Sequence, residues 1–422
     1  MIDERLQQEI DSLLAILQNN YLFYFSRHFD KAMVAPDMLQ VMLTAKCNVR
    51  CKICEVWKQQ FESELTTDQV KSLLDQAIGM GVKTVYFTGG EALLRPDILE
   101  LVNYAARPGI ITTVNTNGSL ITEELAEKIV LSKISNLTFS IDSATPEVHN
   151  AIRGKGVFEK ATRGIELING FRKKFHRTDR EENPQDRLYI GMVSVIMKNN
   201  IDKLLQLVDL AKNLGCCYLA FQPLIYNGSL LENYDFKSEF LVDENDIYKL
   251  ENSFRELSSI KQKMLSEGFH LDFMPEKTIQ HFKRGRKVNT CFAGFSRIFV
   301  NPQGDISFVC FESFGNIKSD LLNDVWYGQK ANAIRKNIKE CRVNCTQFCS
   351  ERPESESLEI IHGNFKNTIF SRFHGQLCTS VLKLENAFLE SLGTEINSDA
   401  YIGKEISRIK QDIAEIAQRC PA

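Results

Sequence analysis

No stretch of the 422-residue chain is an unbroken apolar run of about 18 residues, so nothing in it is built to cross a bilayer as a helix. Nor is there an excess of positive charge: 51 Lys and Arg stand against 54 Asp and Glu, for a net charge of −3. A nucleic-acid binder would ordinarily be basic, so that class is set aside. The opening residues, Met1-Ile2-Asp3-Glu4-Arg5, lack the charged-then-apolar pattern of a secretory signal. What is present is ordinary for a folded protein, 43% hydrophobic and 25% charged, over a length that allows roughly two or three domains. The 12 cysteines are the exception. Without a secretory signal they point to metal or redox work and not to a disulfide framework, and the reducing cytoplasm is the expected location.

Three of them sit in one short stretch, Cys47-Asn48-Val49-Arg50-Cys51-Lys52-Ile53-Cys54. The spacing is too tight for a set of disulfides and one ligand short of a closed tetrahedral zinc site. Three thiolates on one loop suit a cube of iron and sulfide whose fourth iron is left open to another ligand. The apolar run Met38–Thr44 before them reads as a buried strand. The loop would then leave a strand's C-terminal end, where α/β folds place their chemistry.

From residue 37 to about 225, strand and helix patterns alternate. Strands are expected at Thr84–Thr88, Ile110–Val114, Leu137–Ile141, Tyr189–Met197 and Cys217–Gln222. Amphipathic segments Thr67–Met80, Thr122–Leu131, Val157–Asn169 and Ile201–Leu214 lie between them. Parallel strands with crossover helices give an α/β fold, a partial (β/α)6 TIM-like barrel with its site at the strands' C-terminal ends.

Cysteines in a C-x-x-x-C-x-x-C pattern after a first strand resemble the signature of the radical S-adenosylmethionine (SAM) superfamily. The resemblance implies a [4Fe–4S] cluster on Cys47, Cys51 and Cys54, with SAM chelated at the open iron. Gly89-Gly90-Glu91 resembles the family's GGE motif, whose backbone and acid meet the methionine ammonium of SAM; glycines allow close approach and a carboxylate can accept from an ammonium. Ser140 and Arg153 fall where relatives hold the methionine carboxylate or the ribose. Asn115, Asn117 and Asp142 are further candidates for ribose or substrate, and Val195 and Gln222 for adenine. Each has a plainer structural reading: the glycines as a tight turn, Asn117-Gly118 as another, Ser140-Ile141-Asp142 as a helix cap. Ile53 stands where the family more often has an aromatic residue.

A second cysteine set comprises Cys291, Cys310, Cys341, Cys345 and Cys349. Two short strands around Pro302-Gln303-Gly304-Asp305 separate the first two, and a helix follows. This resembles the SPASM or twitch auxiliary module, a small α+β domain. It implies one auxiliary [4Fe–4S] cluster on Cys291, Cys310 and two of the last three; a zinc site is the alternative. Cys216, Cys217, Cys378 and Cys420 read as core or surface residues.

The expected organisation is a helical extension over 1–36, the barrel over 37–225, a helical connector over 226–290, the auxiliary module over 291–349 and a helical extension over 350–422. The first helix is expected to pack on the barrel. The resemblance implies hydrogen-atom abstraction from an unactivated carbon, with an electron donor such as flavodoxin or ferredoxin as partner. Residues 1–36 are too short for a winged-helix leader-recognition domain. A small-molecule substrate (a sugar, aminocyclitol or lipid) is therefore expected, with oxidation, epimerisation or bond formation as outcome. Maturation of a ribosomally made peptide is the alternative, and a non-catalytic electron carrier a second.

Overall fold

The structure, a computed structural model, describes residues 4–107, 109–179, 186–225, 238–283, 290–341, 352–373, 376–393, 396 and 398–419. Helix α1 (Glu4–His28) precedes the first strand. There follow β1 (Met38–Met42), α2 (Thr67–Met80), β2 (Thr84–Thr88), α3 (Ile98–Ala105), β3 (Ile111–Thr116), α4 (Glu123–Leu131) and β4 (Asn136–Ser140). Next come α5 (Pro146–Arg153), α6 (Val157–Lys174), β5 (Tyr189–Ile196), α7 (Leu204–Asn213) and β6 (Tyr218–Pro223). Helix α2 shows how locally these elements are specified. Thr66 and Gln69 form a reciprocal capping box at its start, and Gly81, with φ 103°, ends it in the left-handed region.

Alternation within each strand sorts side chains into two faces. Leu39, Val41, Val85, Phe87, Val114, Leu137, Phe139, Ile190, Leu219 and Phe221 turn outward into one core with the helices. Gln40, Tyr86, Thr113, Asn115, Thr138, Ser140 and Tyr218 take the opposite parity and line the inside. The ring of Tyr218 lies across β5 at Gly191, where a Cβ would come within 1.9 Å of it. Only glycine leaves room for that tyrosine, whose hydroxyl reaches over β5 to Thr138.

Three features extend the expected architecture. Strand β7 (His270–Asp272), after α8 (Ile247–Ser266), pairs in parallel with β6, so the stretch read as a connector supplies a seventh barrel strand. After α9 (Pro275–Phe282) and the short α10 (Ala293–Ser296), strand β8 (Arg297–Val300) pairs in parallel with β1. The hairpin partner β9 (Asp305–Ser307) and β10 (Gly315–Asn316) continue the same sheet, which runs β10-β9-β8-β1-β2-β3-β4-β5-β6-β7. The hairpin around residues 302–304 is thus present as expected but is not a separate sheet. Helices α11 (Leu322–Tyr327) and α12 (Gln329–Glu340) cover it, with Trp326 and Arg335 fully buried.

Thirdly, α1 does not simply lie on the barrel. Its residues Ile10, Leu17, Tyr21 and Phe25 share a core with α13 (Leu358–Arg372), α14 (Gln376–Ser391) and α15 (Ala400–Arg419). The two terminal extensions form one helical bundle, while Phe23 on another face of α1 meets Phe292 and Phe295 beside Cys291. No helix among the described residues is long and apolar enough to cross a membrane.

Candidate active site

The cysteine loop leaves β1 at Leu43 and is held by the chain that follows β2. Gly90 N donates to Thr44 O (2.8 Å) and Glu91 N to Lys46 O (2.9 Å). A Cβ at Gly89 would stand 2.4 Å from Thr44 O, and one at Gly90 2.4 Å from Lys46 O. The two glycines are therefore demanded by contact with the base of the cysteine loop. Glu91 departs from the sequence expectation. It is 1% exposed, with Oε1 accepting from Leu93 N and Thr116 Oγ1 and Oε2 from Asn117 N at 2.8 Å. Its carboxylate ties the end of β2 to the end of β3 and faces protein donors; burial raises its pKa against those hydrogen bonds. Asn117 is likewise committed to the frame: Nδ2 donates to Asn48 Oδ1 inside the cysteine loop, and Oδ1 accepts from Ser119.

Across the mouth, Asp142 at the end of β4 is wholly buried and grips Arg153 at the end of α5. Arg153 Nε donates to Oδ2 at 2.6 Å and Nη2 to Oδ1 at 3.1 Å. Asp142 also accepts from Val195 N at 3.0 Å. Asp142 thus positions the guanidinium; burial opposes its charge, but Asp142, with Cys51 and Cys54 adding to it, outweighs burial and keeps Arg153 protonated. Arg153 O lies 3.9 Å from Cys51 Sγ, and Lys52 N donates to Ile152 O, so the end of α5 is bound to the cysteine loop. Ile53 and Val195 pack on one buried group with Ile152, Met197, Leu224 and Phe240, an apolar wall at the same mouth. Ser140 and Gln222 are half-buried on the inner face, and Asn115 presents a buried Oδ1 with no partner.

Cys51 is buried, while Cys47 and Cys54 are half-buried. Burial pushes the Cys51 thiol up to about 11, with Arg153 opposing the rise and Cys54, Asp142 and Cys47 adding to it. Cys47 is raised too, by burial foremost. Each thiol feels the others, so the three are neighbours. Among the described residues no three His, Cys, Asp or Glu side chains are drawn together as a single-ion site. Cys47 and Cys54 pack on one group with buried Cys51, Val49 and Val157, which brings together the three thiols that a cube needs.

The auxiliary region is held by arginines. Arg335, fully buried, donates to Gly294 O at 2.7 Å and stands 4.4 Å from the Trp326 ring. Arg27 of α1 donates to Cys291 O at 3.2 Å. Cys291 and Cys310 are both half-buried, and both face Arg297 electrostatically. Val309, just before Cys310, has φ 63°, an unfavourable left-handed conformation for a β-branched residue. Cys341 caps α12. Cys345 and Cys349 lie outside the described residues. Reading the sequence alone missed Asn48, Thr116 and Asn200, whose Nδ2 donates to Asp142 O at 2.7 Å. Their partners are distant in the chain, and no local pattern marks them.

A family model, "Radical SAM superfamily", matches residues 41–178, and the SPASM model, "Iron-sulfur cluster-binding domain", matches residues 291–346. The chain is 32% identical over 331 residues to the AdoMet-dependent heme synthase of Methanosarcina barkeri, covering 74% of this chain and 88% of that protein. It is 29% identical over 318 residues to mycofactocin maturase MftC of Mycolicibacterium smegmatis, covering 71% and 72%. The crystal structure of Streptococcus suis SuiB bound to precursor peptide SuiA matches with a TM-score of 0.56 at 18% identity, over 74% of this chain and 69% of that one, a likeness of fold. The cofactors that follow are a [4Fe–4S] cluster, SAM and auxiliary iron–sulfur centres. The cysteine loop, the barrel and the auxiliary hairpin thus agree with the comparisons: the chain belongs to the radical SAM superfamily and is a SPASM-containing enzyme of it.

Proposed function

We propose that this enzyme is a maturase that modifies a ribosomally made peptide. The observation that carries this is the likeness to mycofactocin maturase over more than two thirds of both chains. That likeness favours the peptide alternative over the small-molecule expectation. Among the described residues the sheet ends at β7 and β10 and does not close into a ring.

When bound, the cluster and SAM supply a 5′-deoxyadenosyl radical able to take a hydrogen atom from an unactivated carbon. Cys47, Cys51 and Cys54 would hold that cluster. The backbone of Gly89 and Gly90 would meet the methionine ammonium, Ser140 and Arg153 its carboxylate or the ribose, and Ile53, Val195 and Gln222 the adenine. Asn115 would face the substrate. Glu91, Asn117 and Asp142 act behind these as positioning residues. Cys291, Cys310 and two of Cys341, Cys345 and Cys349 would hold the auxiliary cluster, which would accept an electron from the substrate radical.

The test is anaerobic turnover of reconstituted protein with SAM and dithionite against a short precursor peptide encoded beside its gene. A mass change in the peptide with stoichiometric 5′-deoxyadenosine is expected. A second reading, oxidation of a tetrapyrrole, is favoured by the 32% identity to a heme synthase. An unchanged peptide together with a shifted tetrapyrrole absorption spectrum would establish that reading instead.

A further inference from the structure

We infer that Arg297 is the anchor for a carboxylate group of the substrate, held inside the barrel. The inference rests on reading the barrel lumen as the substrate chamber.

Arg297 opens β8 directly opposite Met38 of β1. Its neighbours in the strand, Ile298 and Val300, turn outward to the helices, so Arg297 projects inward. It is 5% exposed. Its Nη1 donates to Gln40 Oε1 at 3.2 Å, and its Nε is buried without a partner. Among the described residues no Asp or Glu forms an ion pair with it, whereas Arg153, part-buried at the barrel mouth, has Asp142. Burial of an uncompensated guanidinium is costly, and here it lowers the pKa to about 10. A fork of N–H donors in a dry cavity is what a carboxylate binds best.

The surroundings narrow the ligand further. Tyr86, on β2 and separated from β8 by β1, lies beside Asn115 and feels the Arg297 charge. Asn115 Oδ1 is a buried acceptor left open. One cation on β8 and one free acceptor on β3, with Gln40 of β1 and Tyr86 of β2 between them, suit a group that carries a carboxylate at one end and an N–H at the other. The C-terminal residue of a peptide has that chemistry, and so has an internal glutamate or aspartate with its own amide. A rival use of Arg297 is to face the auxiliary cluster, because Cys291 and Cys310 lie within its field.

The experiment titrates reconstituted holoenzyme with SAM against 3-phenylpropionate and its neutral amide by calorimetry. Two acetylated tripeptides compete, one with a free C-terminus and one C-terminally amidated with a central glutamate. The carboxylate is expected to bind roughly tenfold or more tighter than the amide, and Arg297→Gln to erase that difference. If Arg297→Gln fails to load iron, Arg297→Lys carries the test: a point charge in place of a fork should weaken the carboxylate and leave the amide unchanged. Equal binding of carboxylate and amide, or no saturable binding at millimolar concentration, overturns the anchor. So does an Arg297→Gln effect confined to the auxiliary cluster's electron paramagnetic resonance signal. Arg297-dependent carboxylate binding with neither tripeptide competing supports the anchor and overturns the peptide reading alone. Which tripeptide competes tells a terminal from a side-chain carboxylate.

Discussion

Arg153 and Asp142 meet at two points, 2.6 and 3.1 Å, with the aspartate fully buried and the arginine turned to the cysteine loop. An ion pair of this kind contributes little net stability when whole and costs much when halved. Asp142→Asn should therefore destabilise the protein by about 3 kcal/mol, because the guanidinium is left buried without its counter-charge. SAM affinity should fall roughly tenfold as Arg153 loses its fixed direction. Thermal unfolding and equilibrium binding of SAM to the reconstituted protein measure the two; unchanged SAM affinity would mean Arg153 does not face the cofactor.

Gly90→Ala should disable the cluster loop with no ligand involved. The new methyl would sit 2.4 Å from Lys46 O and 2.5 Å from Ala45 O, two backbone atoms that cannot step aside. Iron bound at the first site should drop sharply. Gly79→Ala, in the exposed last turn of α2 where a Cβ meets nothing, is the matched control and should keep its iron and gain up to about 0.5 kcal/mol. Normal iron content in Gly90→Ala would refute the clamp.

Substitution by Ala at Cys47, Cys51 or Cys54 should each remove about four irons per chain and all 5′-deoxyadenosine formation. The buried cysteines elsewhere behave differently. Cys217 Sγ rests 3.2 Å from Ile190 O and Cys378 Sγ 3.0 Å from Phe373 O, contacts of ordinary core thiols. Cys217→Ala and Cys378→Ala should retain the full iron content. Loss of iron in either would place a cluster ligand where the fold does not.

The terminal bundle should be pH-sensitive. His362 donates or accepts between Glu385 (2.9 Å) and Asp412 (2.8 Å), while Tyr21 donates to Glu385 and Lys366 to Asp412. Burial alone would lower the His362 pKa, but the two carboxylates outweigh it and raise the value. Its stabilising contribution is therefore complete below about pH 6.5 and fades as pH rises through the raised pKa. The Tm gap between wild type and His362→Gln should be widest near pH 6 and narrow by about pH 9. A gap that widens with pH would contradict the protonated bridge.

How much of this was legible in the sequence depended on the range of the interactions. Strand β2 and helix α2 match their sequence bounds, Thr84–Thr88 and Thr67–Met80, because alternation, periodicity and caps are local. Strand β7 was not legible: His270-Leu271-Asp272 offers a single inward or outward step, too short to show a period. The chemistry-bearing residues were found by type and place, but three of their roles were not. Glu91, Asn117 and Asp142 look like ligand groups in sequence because polar residues after strands so often are. Only the fold shows their oxygens spent on Thr116, Ser119 and Arg153. Arg297 escaped notice for the converse reason. A lone arginine at a strand start carries no pattern, and only tertiary burial without a carboxylate marks it.

The pairing of β8 with β1 has a mechanical meaning. The strand that feeds the first cysteine loop is also the strand on which the auxiliary half is built, with four residues in register between Met38 and Val41. Among the described residues, β1 and β8 are rungs of one ladder with no hinge between them. In the proposed reaction, the path of an electron between the two halves would be set by that hydrogen-bond ladder and not by how often two domains collide. Removing the chain beyond residue 290 would strip β1 to a bare, apolar edge, ready to join another molecule.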